Sequence, residues 1–420
     1  PMGLNLFRTL LTCMVLVLLA GCAENGCTDK AADNYVKKAR QDDGSCTYQE
    51  KTDQLKSEYK LGYASLVFAN YQDALSAAIN LQTEIELFLE NPTKDGLQYC
   101  KDAWLAARIP YGQTEAFRFS NGPIDDEGGP EGLIDAWPMD ASYIDYVVGF
   151  PDAGIINDLN GFPEITAEAL IGVNKLDAEE NVSVGYHAIE FLLWGQDNSA
   201  PVDLIPGQRS STDYLEVDGT ASNQGRRGDY LSVCAQVLID QLQVMVDAWN
   251  PSGSGNYYQT FMVLSGDDAL QNVLTGLATL SKSELAEISM LTAIENQEET
   301  GPSDFSDNTQ QDFIQNAKGM RNVYSAIYKK LDGTSVVGTS IYDVLDVENS
   351  HLGYLINEST KECISNCEAI PTPFDSQLTK ETVEGSKPIM SAVKSLQAQG
   401  EMFIEAGTDL GLTVSVLSVP

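Results

Sequence analysis

Apolar residues recur at intervals of three and four positions from about Gln54 to the end of the chain, and this spacing is the strongest constraint on the fold. It places apolar side chains on one face of an α-helix, whereas a half-buried strand needs alternation at every second position. Hairpin signals between alternating strands are missing. The sequence therefore predicts an all-α protein, with clear apolar stripes along residues 71–88, 230–249 and 313–331.

A loop rich in Gly, Pro, Asp and Ser, residues 196–228, separates two helical halves of similar size. Each half holds enough long helices for one antiparallel bundle of the four-helix type. We therefore predict a first bundle at residues 54–200 and a second at residues 201–420, preceded by a leader at residues 1–21 and a short spacer module at residues 22–53.

The balance of acidic and basic residues limits the classes of partner that the protein can bind. Acidic residues outnumber basic ones by 61 to 25, which gives a net charge of −36. This field repels nucleic acid and attracts cations, so we expect no nucleic-acid partner. High solubility or life in salty water explains the same acidity without any specific cation role.

The N-terminus has the pattern of a secretory signal. Arg8 precedes an apolar run at residues 10–20, which is too short to span a hydrocarbon core of about 30 Å. The Leu-Ala-Gly-Cys sequence that ends at Cys22 resembles a bacterial lipobox, which implies cleavage before Cys22 and lipidation of its thiol. We expect a cell-envelope lipoprotein, anchored to the outer membrane by lipid alone, on its periplasmic or its outer face.

Six cysteines would remain in the mature chain besides the lipidated Cys22, and an even number outside the cytosol suggests disulfides. We predict the local pairs Cys27–Cys46 and Cys363–Cys367, and leave open whether Cys100 and Cys234 are bridged or are buried free thiols. The acidic segment between Cys27 and Cys46 is either a disulfide-closed spacer or a calcium site with oxygen ligands.

His187 and Glu190 are the clearest candidates for a chemical role, because the chain has only two histidines. Positions i and i+3 of a helix lie on the same face, so the imidazole and the carboxylate point into the same space. That pair is half of a transition-metal site. Its structural alternative is a core histidine that is hydrogen-bonded to its own carboxylate.

Several ordered motifs resemble the imelysin family. Residues 104–119, 122–125 and 136–138 look like its first conserved block, Gly185-x-His187-x-x-Glu190 is its signature, and residues 305–309 resemble its third block. The likeness extends from about residue 55 to residue 415. It implies two helical bundles with the signature at the crevice between them. The family includes bacterial envelope proteins classed as zinc-type peptidases, iron-regulated lipoproteins and domains of iron-uptake systems.

The resemblance and the residue types together predict the site. A site that is poor in histidine and rich in acid suits iron better than zinc, so we expect His187, Glu190 and Glu115 to bind iron, with zinc as the alternative. One departure is Gln310, where relatives often place a histidine. Other residues expected at the crevice are Gly185, Arg108, Tyr111, Arg118, Asp125, Trp137 and Asp307.

Three functions remain open at this stage. The first is metal or metal-chelate binding in iron acquisition, with other envelope iron-uptake proteins as partners. The second is a zinc-type metallopeptidase, for which a general base would have to be found. The third is a surface binding or interaction module without chemistry, in which the signature only packs two bundles together.

Overall fold

A computed structural model describes residues 24–200, 203–296, 301–378 and 387–418. The chain is 61% helical with 3% strand, which confirms the all-α prediction. Cys22 and the predicted leader lie outside the described residues.

The helices follow one another with mostly short connections. In chain order they are α1 (Gln49–Glu90), α2 (Lys94–Thr114), α3 (Glu131–Ile134), α4 (Ala141–Ile144), α5 (Ala167–Val173), α6 (Tyr186–Trp194), α7 (Gln224–Trp249), α8 (Tyr257–Val263), α9 (Gly266–Ala278), α10 (Thr292–Asn296), α11 (Thr309–Ser325), α12 (Ile341–Glu368) and α13 (Lys387–Asp409). The described residues also contain 3₁₀ turns (Glu115–Phe117, Ser211–Tyr214 and Phe374–Gln377) and a π-helix (Thr279–Leu291).

The strands of the described residues are short. β1 (Glu24–Asn25) pairs in parallel with β2 (Ala39–Gln41), and β3 (Ile327–Lys329) pairs antiparallel with β4 (Ser335–Val337). The chain divides into two compact units, one up to Gln54 and one from Leu55 onward.

The N-terminal unit contains the β1–β2 pair and a disulfide between Cys27 and Cys46, as predicted for this pair. Its carboxylates fold the local turns: Asp29 accepts hydrogen bonds from the Ala31 amide and the Tyr48 hydroxyl, and Asp42 accepts one from the Gly44 amide. Such hydrogen bonds are expected of a spacer that is closed by a disulfide. Calcium binding by this unit stays a prediction.

In the unit from Leu55 onward, helices from both halves of the sequence pack on each other. α11 packs against α2 from the first half and against α12 from the second, while α6 packs against both α2 and α7. α13 packs against α12, α9 and the π-helix. The division into separate bundles at residues 200 and 201 therefore stays a prediction.

The predicted bridge between Cys363 and Cys367 is wrong. Both cysteines are buried free thiols on α12, which continues as far as Glu368 instead of opening into a loop. Residues i and i+4 of a helix have Cβ atoms roughly 5–6 Å apart, whereas a disulfide needs about 3.8 Å. The helix therefore holds these two sulfurs too far apart to bond.

Cys100 and Cys234 are also buried free thiols. The Cys100 Sγ contacts the carbonyl of Glu84 at 3.3 Å, and the Cys234 Sγ contacts the carbonyl of Ser183 at 3.6 Å. Of the two alternatives left open for this pair, the structure has the unbridged one.

Among the described helices, α7 alone is long and apolar enough to cross a membrane by length and composition. Its buried side chains include Tyr230, Leu238, Leu242 and Trp249, which belong to the core of the protein. Packing in the core accounts for this apolar composition.

The close contact between α2 and α11 requires a glycine, and this generates a prediction. A Cβ atom on Gly319 would lie 2.3 Å from the carbonyl oxygen of Gln113, so the helices would have to separate. We expect Gly319→Ala to lower the free energy of unfolding by about 1–3 kcal/mol, measured by urea denaturation.

The matched control is Gly172→Ala on α5, where a Cβ atom would meet nothing within 4 Å. That substitution should leave stability unchanged or raise it slightly. Equal midpoints for both variants would contradict the proposed close contact.

Candidate functional site

The site is built around α6, whose nine residues are all buried. Gly185 precedes this helix with φ +97°, and a Cβ atom there would lie 2.7 Å from the carbonyl oxygen of Ile134. A side chain at this position is therefore excluded by both backbone conformation and space. Gly185 thus lets the start of α6 approach the end of α3 closely.

His187 and Glu190 contact each other as their spacing predicts. The Nδ1 atom of His187 lies 2.9 Å from Oε2 of Glu190, one turn further along α6. The other carboxylate oxygen, Oε1, accepts hydrogen bonds from the backbone amide (2.9 Å) and the hydroxyl (2.7 Å) of Ser306. Both oxygens of Glu190 are therefore occupied, and Glu190 holds the orientation of the imidazole.

The other ring nitrogen of His187 faces Asp135, a residue that the sequence analysis did not single out. Nε2 lies 3.1 Å from Oδ1 of Asp135, at the end of α3. The two groups are within ion-pair distance, but Nε2 has no aligned hydrogen-bond partner. A buried polar atom of this kind is costly, and it can be satisfied by a proton shared with the carboxylate or by a bound cation.

Arg108 binds the same carboxylate from the other side. Its guanidinium contacts Asp135 and donates from Nε to Asp312 on α11 at 3.0 Å. The charged carbon lies between 5.1 and 5.7 Å from the ring centroids of Trp104, Tyr111 and Tyr186. Tyr111, expected at the crevice, therefore lies beside the site as part of an aromatic cage around Arg108.

The electrostatics of the site follow from burial and pairing. Burial alone would lower the pKa of His187, but the Asp135 charge and the contacts with Asp135 and Glu190 outweigh it and raise this pKa to about 9. Burial opposes the ionisation of Asp135, yet Arg108 and His187 bring its pKa below the usual range. At neutral pH the imidazole of His187 is therefore protonated and lies between two carboxylates.

Two further aspartates lie near the pair on the loop before α11. Burial and then the charge of Glu190 raise the pKa of Asp304 to about 7, and its Oδ1 atom has no hydrogen-bond partner. Asp307 was expected at the crevice, and burial with the charges of Asp197 and Asp375 raises its pKa to about 7. This side of the site is strongly acidic.

Aromatic rings shield the imidazole from solvent. The ring of Trp137 lies 5.0 Å from that of His187 in an edge-on arrangement, and Phe305 lies 6.1 Å from Trp137. Trp137, which was expected at the crevice, thus lies against the His187 ring.

Glu115 belongs to a neighbouring group of charges, which we call the Arg118 cluster: Arg118 with Glu115, Asp125 and Glu131. Arg118 contacts the three carboxylates at 3.3, 3.1 and 3.4 Å respectively. Burial raises the pKa of Glu115 to about 8 against the opposing effect of Arg118. Arg118 thus orients Glu115 and Asp125, whereas Arg108 pairs with other carboxylates. Direct metal binding by Glu115 stays a prediction.

Gln310, which stands where a histidine was expected, has a structural contact. Its side-chain amide donates to the carbonyls of Cys367 and Ile370 at the C-terminal end of α12. The Cys367 carbonyl also accepts from the backbone N–H of Ile370, so Gln310 adds to the hydrogen bonds that close the end of α12.

A cavity of about 360 Å³ leads to the charged residues between α2 and α11. Arg108 and Asp312 line it together with apolar Leu105 and Ile109 and the amide of Gln311. A small polar molecule in this cavity would lie against the Arg108–Asp312 pair.

Within the described residues, no group of three or more His, Cys, Asp or Glu side chains is arranged to hold a metal ion. The protein donors nearest to such a role are the imidazole Nε2 of His187 and the carboxylate of Asp135. Nitrogen and oxygen donors of this kind suit iron as well as zinc.

Comparisons with known proteins give the family. The family model of imelysin matches residues 67–402, which is most of the chain. The chain belongs to the imelysin family. It is 23% identical over 343 residues to the iron-regulated protein A of Synechococcus elongatus, covering 79% of this chain and 80% of that protein.

Solved structures share the imelysin fold. A protein described as an iron-regulated protein A precursor from Parabacteroides distasonis has a TM-score of 0.62 at 18% identity, over 85% of this chain and 95% of that one. An imelysin-like protein from Psychrobacter arcticum has a TM-score of 0.59 at 13% identity, over 86% and 98% of the two chains.

The geometry restricts which carboxylate could act as the base of a metallopeptidase. Such an enzyme needs a carboxylate free to take a proton from water. Both oxygens of Glu190 are hydrogen-bonded within the protein, and Asp135 is paired with Arg108. Asp304, whose Oδ1 atom has no hydrogen-bond partner, is the carboxylate near the pair that is free for this role.

Sequence reasoning missed Asp135, Ser306 and Asp312. Asp135 directly precedes the Ala136-Trp137-Pro138 motif, and Ser306 lies within the third conserved block. Their positions inside or next to recognised motifs were the available signal. The contacts of Asp135 with His187, of Ser306 with Glu190 and of Asp312 with Arg108 depend on the packing of segments that are separate in the sequence.

The raised pKa of His187 predicts a pH-dependent stability. Its folded-state pKa of about 9 exceeds the unfolded value near 6.5, so the ion pairs stabilise the metal-free protein fully below about pH 6.5. This stabilisation is lost as the pH rises through about 9. Between pH 6 and pH 10 the wild type should lose about 2–3 kcal/mol more than His187→Gln, measured by urea unfolding in the presence of a chelator.

His351→Gln is the control, because His351 is exposed on α12. It should keep the pH slope of the wild type. A His187→Gln variant with the wild-type slope would show that His187 is not charged in the folded protein.

Proposed function

We propose that this imelysin is a lipid-anchored envelope protein that binds iron at His187 and Asp135, in the form of a small chelate. The observation that carries the proposal is the Nε2 atom of His187, which is buried, lacks an aligned hydrogen-bond partner and lies 3.1 Å from the Asp135 carboxylate. An N donor and an O donor at this separation suit adjacent positions on one metal ion.

Glu190 supports this role from the opposite side of the imidazole ring, where it contacts the Nδ1 atom of His187. Histidines that bind metals almost always donate their second N–H to a carboxylate or carbonyl, which fixes the tautomer and raises the basicity of the ligand atom. The Nδ1–Glu190 contact is of that kind, and Ser306 fixes Glu190 in turn. The sequence-based assignment of Glu190 as a direct ligand is therefore revised to that of an orienting carboxylate.

A chelate fits better than a bare ion, because two protein donors leave most of the coordination positions of iron open. Water or a chelating molecule would have to fill them. The cavity beside Arg108 and Asp312 has room for a small molecule, and the amide of Gln311 offers it hydrogen bonds. His187 and Asp135 do not line this cavity themselves, and Arg108, which contacts Asp135, lies between the two. The relation to an iron-regulated protein favours iron over zinc as the metal.

Two variants and one probe test the site. Ferric nitrilotriacetate is suitable because the chelator occupies four positions on iron and leaves two for the protein. We expect the wild type to bind it saturably in isothermal titration, and His187→Ala and Asp135→Asn to bind at least about 10-fold more weakly.

The control for this experiment is His351→Ala, which removes the other histidine and should bind as the wild type does. Zinc sulfate is titrated in parallel, and tighter zinc binding would replace iron as the metal. Unchanged iron binding in both site variants would remove His187 and Asp135 from the binding site, and the signature would keep only its packing role.

The anchoring part of the proposal rests on Cys22 and the apolar run before it. Metabolic labelling with a radioactive fatty acid should mark the wild type and leave Cys22→Ser unlabelled. Cys13→Ser, within the leader, should label normally. Equal labelling of all three proteins would overturn the lipoprotein assignment. The expected partners, other envelope iron-uptake proteins, follow from this location.

A further inference from the structure

The N-terminal unit contains a tight turn whose exposed positions are basic. The Ala39 N–H donates to the carbonyl of Val36 at 2.9 Å, so Lys37 and Lys38 occupy the two central positions of the turn. The Val36 N–H in turn donates at 2.9 Å to the carbonyl of Cys27, a residue held by the disulfide. Both lysine side chains are exposed. The fold of this unit therefore holds two ammonium groups at the tip of one turn.

The pairing of β1 with β2 places this turn close to the predicted lipidation site. Ala39 lies beside Glu24 in the parallel pair, at the spacing of about 4.8 Å between neighbouring strands. Glu24 follows Cys22 by two residues, which span at most about 7 Å. Because the two strands run in the same direction, the turn that leads into β2 lies at the end of the pair nearest Cys22. A lipid on Cys22 would therefore keep the turn within reach of the lipid headgroups.

Arg40, on β2, adds a third positive charge next to the turn. The register of the strand pair shifts at this point, which leaves Arg40 without a partner residue in β1, and its side chain is exposed. Neither Arg40 nor the two lysines of the turn forms an ion pair with another described residue. Three unpaired cations thus lie within four positions, in a chain with 25 basic and 61 acidic residues.

The carboxylates of the same unit form hydrogen bonds with its own backbone. Asp29, Asp33, Asp42 and Asp43 each accept a hydrogen bond from a backbone N–H of the unit. Asp42 and Asp43 follow β2 directly, so they lie at the end of the strand pair that points away from Cys22. The basic turn and this acidic turn therefore lie at opposite ends of the pair, with the basic one nearer the lipidation site.

We propose that Lys37, Lys38 and Arg40 contact anionic phospholipid headgroups of the bilayer that holds the Cys22 lipid. This inference rests on the lipid anchoring proposed above and adds an electrostatic contact to an anchor that was expected to consist of lipid alone. A basic patch strengthens the binding of a lipid-anchored protein, because each Lys or Arg near an anionic surface adds to the attraction. The net charge of −36 does not prevent the contact, since charges farther apart than about 8 Å are largely screened at physiological salt.

The test attaches the mature chain, from Cys22 onward, to vesicles through a maleimide-bearing lipid. This chemical bond reproduces the anchor whether or not the cell lipidates the protein. Cys22 is the thiol that reacts, because Cys27 and Cys46 are bonded to each other and the other four cysteines of the mature chain are buried. Vesicles of phosphatidylcholine, which are neutral, are compared with vesicles that also contain the anionic phosphatidylglycerol.

The measurement is the rate at which an uncharged ester acetylates each lysine, followed by mass spectrometry. We expect Lys37 and Lys38 to react at least about 5-fold more slowly on the anionic vesicles than on the neutral ones, because the headgroups cover their ammonium groups. High salt should remove this difference. Lys94, exposed on α2, is the internal control and should react equally on both kinds of vesicle.

Arg40→Gln tests whether the three cations act together. Removing this charge should weaken the contact and so reduce the protection of Lys37 and Lys38 on anionic vesicles by about 2-fold or more. A lower local pH at the anionic surface would instead slow the two lysines equally in the wild type and the variant. The matched control is Arg321→Gln, which removes the same charge from α11 and should leave the protection unchanged.

Three results would overturn the proposal. Equal acetylation of Lys37 and Lys38 on neutral and anionic vesicles shows that no headgroup contact forms. Equal slowing of Lys94 shows that the whole protein adheres to the anionic surface without selecting the turn. Protection that persists in Arg40→Gln and at high salt shows that charge plays no part. None of these results depends on lipidation in the cell, which the fatty-acid labelling of Cys22→Ser tests separately.

Discussion

The ion pairs of Arg108 with Asp135 and Asp312 are the interaction on which the rest of the site depends. They join α2, the end of α3 and α11, three segments that are far apart in the sequence. All three side chains are largely buried, so removing one partner would leave an uncompensated charge, at a cost of about 3–5 kcal/mol. The position of Asp135, and through it the environment of His187, follows from this contact.

A second buried network repeats this arrangement elsewhere in the protein. Asp145 accepts from Nε of Arg227 at 2.7 Å and from Arg209 at 2.8 Å, and all three side chains are almost completely buried. A chain with few basic residues thus places several of its arginines inside, where each fixes the geometry of an acidic partner. Not all of the acidic excess lies at the surface, because Asp304 lies near Glu190 with a buried Oδ1 atom that has no hydrogen-bond partner. The strong net charge is therefore reflected at the His187 site as well.

The sequence predicted what depends on local spacing and missed what depends on packing. The i, i+3 contact of His187 with Glu190 follows from helix geometry, and the all-α fold follows from apolar periodicity. Asp135 lies 52 positions before His187, and periodicity carries no information about such a contact. The Cys363–Cys367 bridge failed because helix α12 extends to Glu368, past both cysteines. Pro371, three residues beyond that end, was the signal in the sequence that the helix continues through them.

The contacts of Glu190 with His187 and Ser306 restrict the chemical roles that the Gly185-x-His187-x-x-Glu190 signature can have. With both carboxylate oxygens in contact with His187 and Ser306, Glu190 holds the imidazole and has no oxygen free of protein contacts for a substrate or water. The atom of the motif that can exchange its binding partner is then Nε2 of His187. It lies 3.1 Å from the carboxylate oxygen Oδ1 of Asp135. A proton fills this space while the imidazole is charged, and a metal ion bound there as proposed would have to displace that proton. Proton and metal would then compete for one position, so the pairing that stabilises the fold would also weaken the proposed metal binding at neutral pH.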